Sequence, residues 1–123
     1  DARVVVMEGV NARHGIDIPE PVGLVVADVS FISLRLVLPP ALVHLKPGGR
    51  LLALVKPQFE AGKGKVGPGG VVRDEREHAA VVGGFCLWAI DAARALRLLG
   101  VRPSVLRGNA GNQEYFVLLE AVE

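Results

Sequence analysis

The stretch LLALVKPQFEAGKGKVGPGG, residues 51–70, begins with five apolar residues and ends in a loop that holds five glycines. The apolar run predicts a buried β-strand at residues 51–55, because strands covered on both faces read as continuous hydrophobic segments. Lys56 follows this strand directly, and Pro57 cannot continue it. A strand end is a fixed platform, so either Lys56 is held there for chemistry or the strand has simply reached the surface.

The segments before this strand alternate between strand and helix patterns. Residues 3–7 and 23–27 are short and rich in β-branched residues, which predicts two more strands. Residues 33–45 have a helical pattern that is interrupted by Pro39 and Pro40. Proline kinks a helix beyond its first turn, so a bent helix or two short helices are expected here.

A longer helix and two strands are predicted after the glycine loop. Asp74 and Glu77 have the spacing of a capping box, and Gly100 is a natural helix stop. Residues 101–106 and 115–122 then predict two strands whose short connection requires an antiparallel pair. The resulting prediction is an α/β fold with a parallel sheet that ends in a C-terminal antiparallel strand.

Three charged residues lie at one edge of this predicted sheet. Asp28 and Lys56 each end a strand, and Glu114 opens the last strand, which begins at the edge where the parallel strands end. Adjacent strands are about 4.8 Å apart, so the three head groups could meet on one substrate. Each also has an ordinary interpretation: Asp28 as a helix cap, Lys56 as an extended surface side chain, and Glu114 as a partner of an arginine.

Length and composition predict one globular domain: 123 residues, of which half are hydrophobic and 22% are charged. No stretch is long enough to span a bilayer, so a membrane is not an expected partner. The single Cys86 favours a reducing cytoplasm, and the scattered histidines predict no metal site. Net charge is only +1, but Lys63, Lys65 and Arg73 make the glycine loop basic, as a phosphate-binding loop or an ordinary solvated one.

Four segments carry a family resemblance and follow each other in the expected order. They are EGVNAR (8–13), ADVSFISL (27–34), LVKPQFEAGKGKVGPGGVVRD (54–74) and GNQEYF (111–116). In these segments the chain resembles the TlyA family, the hemolysin-A-like ribosomal RNA methyltransferases with an FtsJ-type catalytic domain. The resemblance covers nearly the whole chain.

This resemblance implies a Rossmann-like class I methyltransferase fold. It also implies transfer of a methyl group from S-adenosylmethionine to a ribose 2′-hydroxyl of ribosomal RNA. Such enzymes use a lysine–aspartate–lysine–glutamate tetrad, in which Asp28 matches the aspartate, Lys56 the second lysine and Glu114 the glutamate. A poor nucleophile such as a hydroxyl needs a base to take its proton. Lys56 is therefore interpreted as that base or as the group that positions the hydroxyl.

Binding residues are predicted as well. Asn11 and Asp28 are expected to contact the methyl donor, although Asn11 also suits a simple turn. The expected RNA contacts are basic: Arg13, Lys63, Lys65 and Arg73. The expected partners are ribosomal RNA or ribosomal subunits in the cytoplasm, and an exposed sheet edge could also drive formation of a homodimer.

The departures from the family pattern concern its N-terminal part. The glycine-rich turn that cradles the methyl donor, the acidic residue after the second strand, the first lysine of the tetrad and the S4-type RNA-binding domain have no match here. Residues 1–123 are therefore interpreted as the C-terminal portion of an FtsJ-like methyltransferase domain. Two alternatives stay open at this point: a non-catalytic RNA-binding scaffold and a hemolysin-type activity.

Overall fold

A computed structural model describes residues 1–62, 64–91 and 95–122, which form one mixed sheet with helices packed on it. The strands are β1 (Val22–Ala27), β2 (Leu45–Val55), β3 (Leu96–Pro103) and β4 (Tyr115–Ala121). The helices are α1 (Leu34–Leu42), α2 (Pro57–Glu60) and α3 (Glu75–Asp91), and short 3-10 turns span Ala12–His14, Pro68–Gly70 and Asn109–Gly111. The α/β class is confirmed.

The strand order in the sheet is β1-β2-β4-β3. Strands β1 and β2 run parallel, whereas β4 runs antiparallel to both of its neighbours, β2 and β3. The ends of β1 and β2 therefore lie at the same edge as the start of β4. At this edge Val55 pairs with Tyr115, so the next residues along the two strands are Lys56 and Glu114.

The core lies between the sheet and the apolar faces of α1 and α3. Its fully buried side chains come from both layers: Leu34, Leu38, Leu42, Leu51, Val55, Phe85, Val117 and Leu119. Burial of this apolar surface is the main favourable term in folding. It also fixes the sheet edge, because side chains in a close-packed interior leave the backbone little freedom to shift.

Helices α1 and α2 are tied together beside that edge. The Ser33 hydroxyl accepts a hydrogen bond from the Arg35 N–H at 3.1 Å and caps α1. The Glu60 carboxylate, at the end of α2, accepts two hydrogen bonds from the start of α1, one from the Leu34 N–H and one from the Ser33 hydroxyl, both at 2.7 Å. This clamp holds the segment that follows Lys56 against the start of α1.

The predicted strand at residues 3–7 is wrong. This segment is not part of the sheet, and the side chains of Val4, Val5 and Val6 are exposed. A β-branched run forms a strand only where a neighbouring strand supplies hydrogen-bond partners. In the described part of the chain β1 pairs only with β2, so no strand lies on its other side to receive this segment.

The predicted end of the long helix is also wrong. Helix α3 ends at Asp91, and Leu96 already belongs to β3 and pairs with Ala121 of β4. Gly100, predicted as a helix stop, lies inside β3 where the register with β4 shifts between Leu98 and Gly100. Such a shift is a bulge, and glycine within a strand often marks one. The antiparallel pairing of the last two strands is confirmed.

One glycine pair lets β2 stay continuous through an irregular segment. Val22 pairs with Leu45 and Leu24 pairs with Arg50. An advance of two positions along β1 therefore corresponds to an advance of five positions along β2. Gly48 has a φ of 76°, and a Cβ at Gly49 would lie 2.7 Å from the Leu45 side chain. Glycine suits the left-handed backbone at position 48 and the close approach at position 49, because it has no Cβ. Among the described residues, no helix is long and apolar enough to cross a membrane.

Candidate active site

Lys56 and Asp28 form an ion pair at the carboxyl ends of β2 and β1. The Lys56 Nζ lies 2.6 Å from the Asp28 Oδ1 and donates a hydrogen bond to the Ser30 hydroxyl at 3.1 Å. The Lys56 side chain is only 12% exposed, whereas that of Asp28 is 64% exposed. The aliphatic part of the lysine is therefore packed, and its head group is held at a defined point of the surface.

Glu114 is buried at the same edge and is held by a neutral partner. The Gln58 side-chain amide, on α2, donates a hydrogen bond to the Glu114 Oε2 at 2.8 Å. Both side chains are buried, and the Gln58 Oε1 has no hydrogen-bond partner in the described part of the chain. Turning the amide over would bring this oxygen against the carboxylate, so the bond to Glu114 sets the orientation of the amide.

Gly108 lies directly against the Glu114 carboxylate. A Cβ at position 108 would lie 1.9 Å from the Glu114 Oε2 and 2.3 Å from its Cδ. Such distances are far below van der Waals contact, so any larger residue at position 108 must displace the carboxylate. Gly108 and Gln58 together hold Glu114 in one place.

Asp28 and Glu114 line the same small cavity, of about 410 Å³. Its walls are mainly apolar and come from β1, β2 and β4, with Leu52, Leu54 and Phe116 among them. Ligand sites in proteins are commonly apolar cavities with a few well-placed polar groups. The charged side chains of its lining are Asp28, Glu114 and Arg107, so the balance is one negative charge, which favours a positively charged group beside the low-dielectric walls.

A larger cavity of about 830 Å³ opens beside this site, between the start of α3 and the loops around it. His78 and Tyr115 are among the residues that line it. The His78 Nε2 lies 2.6 Å from the Val72 carbonyl and donates to it, so the Nδ1 accepts from the Tyr115 hydroxyl at 2.9 Å. Burial, followed by the negative charge of Glu75, raises the pKa of Tyr115. The phenol is therefore a hydrogen-bond donor at neutral pH.

Comparison with known proteins shows the family of this chain. The sequence profile of FtsJ-like methyltransferases matches residues 1–121 of the chain. The chain belongs to the FtsJ-like methyltransferase family. One relative is the Mycobacterium tuberculosis protein named 16S/23S rRNA (cytidine-2′-O)-methyltransferase TlyA. It is 48% identical over 127 residues, which cover 97% of this chain and 44% of the relative.

Two further comparisons agree with this membership. YqxC of Bacillus subtilis, named provisionally as an rRNA methyltransferase, is 43% identical over 122 residues, or 97% of this chain and 43% of YqxC. A solved structure from Lactococcus lactis, named provisionally as a hemolysin, superimposes with a TM-score of 0.89 at 38% identity. The match covers 98% of this chain and 58% of that one. The chain thus spans less than half the length of the two curated relatives.

The structure of this FtsJ-like chain brings the predicted catalytic residues to one edge. Asp28 contacts Lys56, and Glu114 shares a cavity with Asp28. Asn11, predicted to contact the methyl donor, is not among the residues that line this cavity. Its side chain caps a 3-10 turn by accepting from the Arg13 N–H at 3.1 Å. The roles assigned to these residues stay predictions.

The predicted RNA contacts are distributed over the surface. Arg13 lies exposed in the first 3-10 turn, and Lys65 lies 3.4 Å from the Glu77 carboxylate on α3. Arg73 lines the larger cavity. Lys63 lies outside the described residues. Arg73 is therefore the predicted RNA contact that lies in a concave surface next to the FtsJ-like site.

Several residues of the site were missed by sequence reasoning. Gln58 and Ser30 follow the two strand ends, but a single polar residue in a short segment carries no periodic pattern. Gly108 and Asn112 lie in the turn before β4, where glycine and asparagine read as ordinary turn residues. The nearness of these residues to Lys56 and Glu114 in sequence was the only available signal, and their contacts depend on tertiary packing.

Proposed function

We propose that the protein transfers a methyl group from S-adenosylmethionine to a ribose 2′-hydroxyl of ribosomal RNA. We further propose that residues 1–123 are the C-terminal portion of its FtsJ-like domain. The observation that carries this proposal is the Lys56–Asp28 ion pair at the sheet edge that also holds Glu114. The names of two relatives, an rRNA (cytidine-2′-O)-methyltransferase and a provisional rRNA methyltransferase, support the same reaction and substrate. A cytoplasmic location is part of the proposal.

The small cavity suits part of the methyl donor. S-adenosylmethionine supplies the methyl group from a positively charged sulfur. Asp28 and Glu114 are negative groups on a mainly apolar wall. Such a wall suits a sulfonium, whose positive charge is attracted by carboxylates and whose substituents are apolar. In this proposal Asp28 faces the donor and also holds Lys56, while the Gln58 amide keeps the Glu114 carboxylate directed toward the cavity.

Lys56 acts on the ribose hydroxyl, whose proton must leave as its oxygen gains the methyl group. Two of the three donor positions of its ammonium are directed at Asp28 and Ser30, which fixes the direction of the third. A charged Lys56 would orient the hydroxyl oxygen by donating to it. A neutral Lys56 would take the hydroxyl proton as general base.

The experiment is single-turnover methyl transfer by Lys56 variants of the complete protein to ribosomal subunits that lack the modification. Lys56→Ala is expected to reduce the rate by about 100-fold or more, the usual contribution of a positioned acid or base. Lys46→Ala is the matched control, because Lys46 is exposed near the other end of β2. Full activity of Lys56→Ala would contradict the proposed role.

Lys56→Arg separates the two roles of the lysine. Arginine keeps the charge and donates hydrogen bonds, but it does not accept a proton at any working pH. Retained activity would assign Lys56 to positioning. A loss of activity with unchanged binding of RNA and donor, measured by titration, would assign it to proton transfer.

A further inference from the structure

The larger cavity is lined by charged side chains that have no role in the proposed methyl transfer. Arg73 and Arg107 both line it, and Arg107 also lines the small cavity that contains Asp28 and Glu114. Glu75 contributes one negative charge to the lining, so the ionised side chains around the cavity leave a net positive charge. The two cavities thus share a boundary at Arg107.

Asn112 holds the backbone from which each arginine extends. Its side-chain Oδ1 accepts from the Val72 N–H at 3.0 Å, and its backbone carbonyl accepts from the Gly108 N–H at 2.7 Å. Val72 directly precedes Arg73, and Gly108 directly follows Arg107. Asn112 is 1% exposed, so water does not compete for these bonds.

Additional bonds fix the same two segments. The Asn112 side chain donates to the Gly70 carbonyl at 2.9 Å, and His78 donates to the Val72 carbonyl. The end of the glycine loop is therefore attached to the turn before β4. Two arginines that are 34 positions apart in sequence are presented to one cavity by pre-ordered backbone, which lowers the entropic cost of binding a ligand between them.

The chemistry of the lining fits a nucleotide with its phosphate. A guanidinium presents a planar set of donors that matches phosphate oxygens in pairs. The Tyr115 ring lies in the same lining and offers a flat surface to a sugar or base. The Gln113 amide nitrogen, also in the lining, already donates to the Ser104 and Glu114 carbonyls and so helps to order this wall. The cavity is also large enough, since ligand sites commonly enclose about 300–1,000 Å³.

We propose that this cavity binds the nucleotide of the RNA chain next to the methylated ribose, with the phosphodiester between Arg73 and Arg107. Arg107 lies at the boundary, where it would offset the repulsion between the RNA backbone and the carboxylates of the small cavity. The inference rests on the proposed function, because it takes RNA as the substrate and the small cavity as the reaction site.

The test measures binding of a short single-stranded RNA of mixed sequence to the complete protein at several salt concentrations. Arg73→Ala and Arg107→Ala are each expected to weaken binding about tenfold at low salt. Each should also make the salt dependence less steep, by about 0.7 in the slope of log K against log salt, which is the value for one phosphate contact on a single strand.

Arg50→Ala is the matched control. It removes the same positive charge, but from inside β2, where Arg50 pairs with Glu120 five residues before the end of the strand. Its binding curve and salt slope should equal those of the unchanged protein. If Arg73→Ala and Arg107→Ala behave like Arg50→Ala, the cavity does not hold a phosphate and the inference is overturned.

Methyl transfer is measured separately, so the two proposals can fail separately. Loss of activity in Lys56→Ala with unaltered RNA binding by both arginine variants would leave the proposed function standing and overturn the cavity assignment. Weaker RNA binding by the arginine variants, in a protein that transfers no methyl group to ribosomal subunits, would support the cavity and overturn the proposed reaction.

Discussion

Strand β4 has a glutamate close to each of its ends, and the two carboxylates are held in different ways. Glu120, near the end of the strand, receives hydrogen bonds from two cations, Arg97 on β3 and Arg50 on β2, the latter at 3.3 Å. Glu114, just before the strand, is buried and receives its side-chain bond from the neutral amide of Gln58. Within the described residues Glu114 takes part in no ion pair.

We propose that this difference separates a structural carboxylate from a functional one. At Glu120 the charge is neutralised by the fold itself, and the three side chains link three neighbouring strands. At Glu114 the fold supplies orientation through a neutral amide, and Arg107, which lines the same cavity, forms no ion pair with it among the described residues. A buried charge without a counter-ion costs stability. A cost of this kind is expected where a ligand or a reaction uses the charge, and we propose Glu114 as part of the active site for this reason.

The largest expected effect comes from removing the two charges in turn. Glu114→Gln should lower methyl transfer by about 100-fold or more, because the side chain keeps its shape but loses the charge. Glu120→Gln should leave methyl transfer unchanged. The rates are measured in single-turnover reactions of the complete protein, with the melting temperature recorded for both variants. Equal rates of methyl transfer by the two variants would contradict the proposal that Glu114, and not Glu120, serves the reaction.

A smaller effect is expected from a methyl group placed against the Glu114 carboxylate. Gly108→Ala would bring a Cβ within 1.9 Å of Oε2, so the carboxylate must move. A displacement of this kind should lower the rate about tenfold or more, since misplaced catalytic groups lose much of their effect. Unchanged activity with an unchanged position of Glu114, seen by crystallography, would contradict this.

Gly83→Ala is the matched control for that substitution and carries its own prediction. Gly83 lies inside α3, and a Cβ there would meet no heavy atom within 4 Å. Replacement should stabilise the protein by about 0.5–1 kcal/mol, because alanine loses less backbone entropy in a helix than glycine does. Chemical denaturation measures the change, and methyl transfer should be unaffected. A destabilised variant would show that Gly83 has a contact partner.

The smallest expected effect is the acid sensitivity of the Glu120 cluster. The hydrogen bond from Arg97, together with that from Arg50, holds the pKa of the Glu120 carboxyl below its ordinary value of 4.5. A carboxyl with a lowered folded-state pKa stabilises the protein in full above its unfolded value, and this stabilisation is lost as the pH falls through the folded value. Glu120→Gln should therefore lower the melting temperature slightly at pH 7.

The difference in melting temperature should shrink as the pH is lowered from about 4.5, and it should also shrink in high salt, which screens exposed ion pairs. A difference that stays constant from neutral pH to the acid range would mean that the charge of Glu120 contributes nothing to stability.

Much of the fold could be read from local patterns. The apolar run at residues 51–55 and the β-branched run at 23–27 both lie in strands, and the helix predicted from Asp74 begins at Glu75 with the Asp74 Oδ1 accepting from the Arg76 N–H at 2.9 Å. These patterns work because burial of a face repeats with the period of the element that carries it. The same logic placed Asp28, Lys56 and Glu114 at one edge.

Other parts depended on partners that a local pattern does not specify. Residues 3–7 have the composition of a strand but no adjacent strand among the described residues. Residues from Leu96 onward form a strand and not the predicted helix, because β4 supplies a hydrogen-bonded neighbour. The backbone hydrogen-bonding groups of a strand need partners on a second segment, so the propensity of one segment cannot decide whether it forms a strand.

The sequence by itself thus determined most of the alternation of strands and helices, and the sheet edge where Asp28 and Lys56 follow their strands and Glu114 precedes its own. Only the tertiary structure decided which groups hold them: Asp28 and Ser30 on Lys56, Gln58 and Gly108 around Glu114, and Asn112 between the two arginine-bearing segments. The reason is physical. Periodicity records which side of a segment is buried, whereas a hydrogen bond between distant segments exists only once the core has packed and fixed both of them.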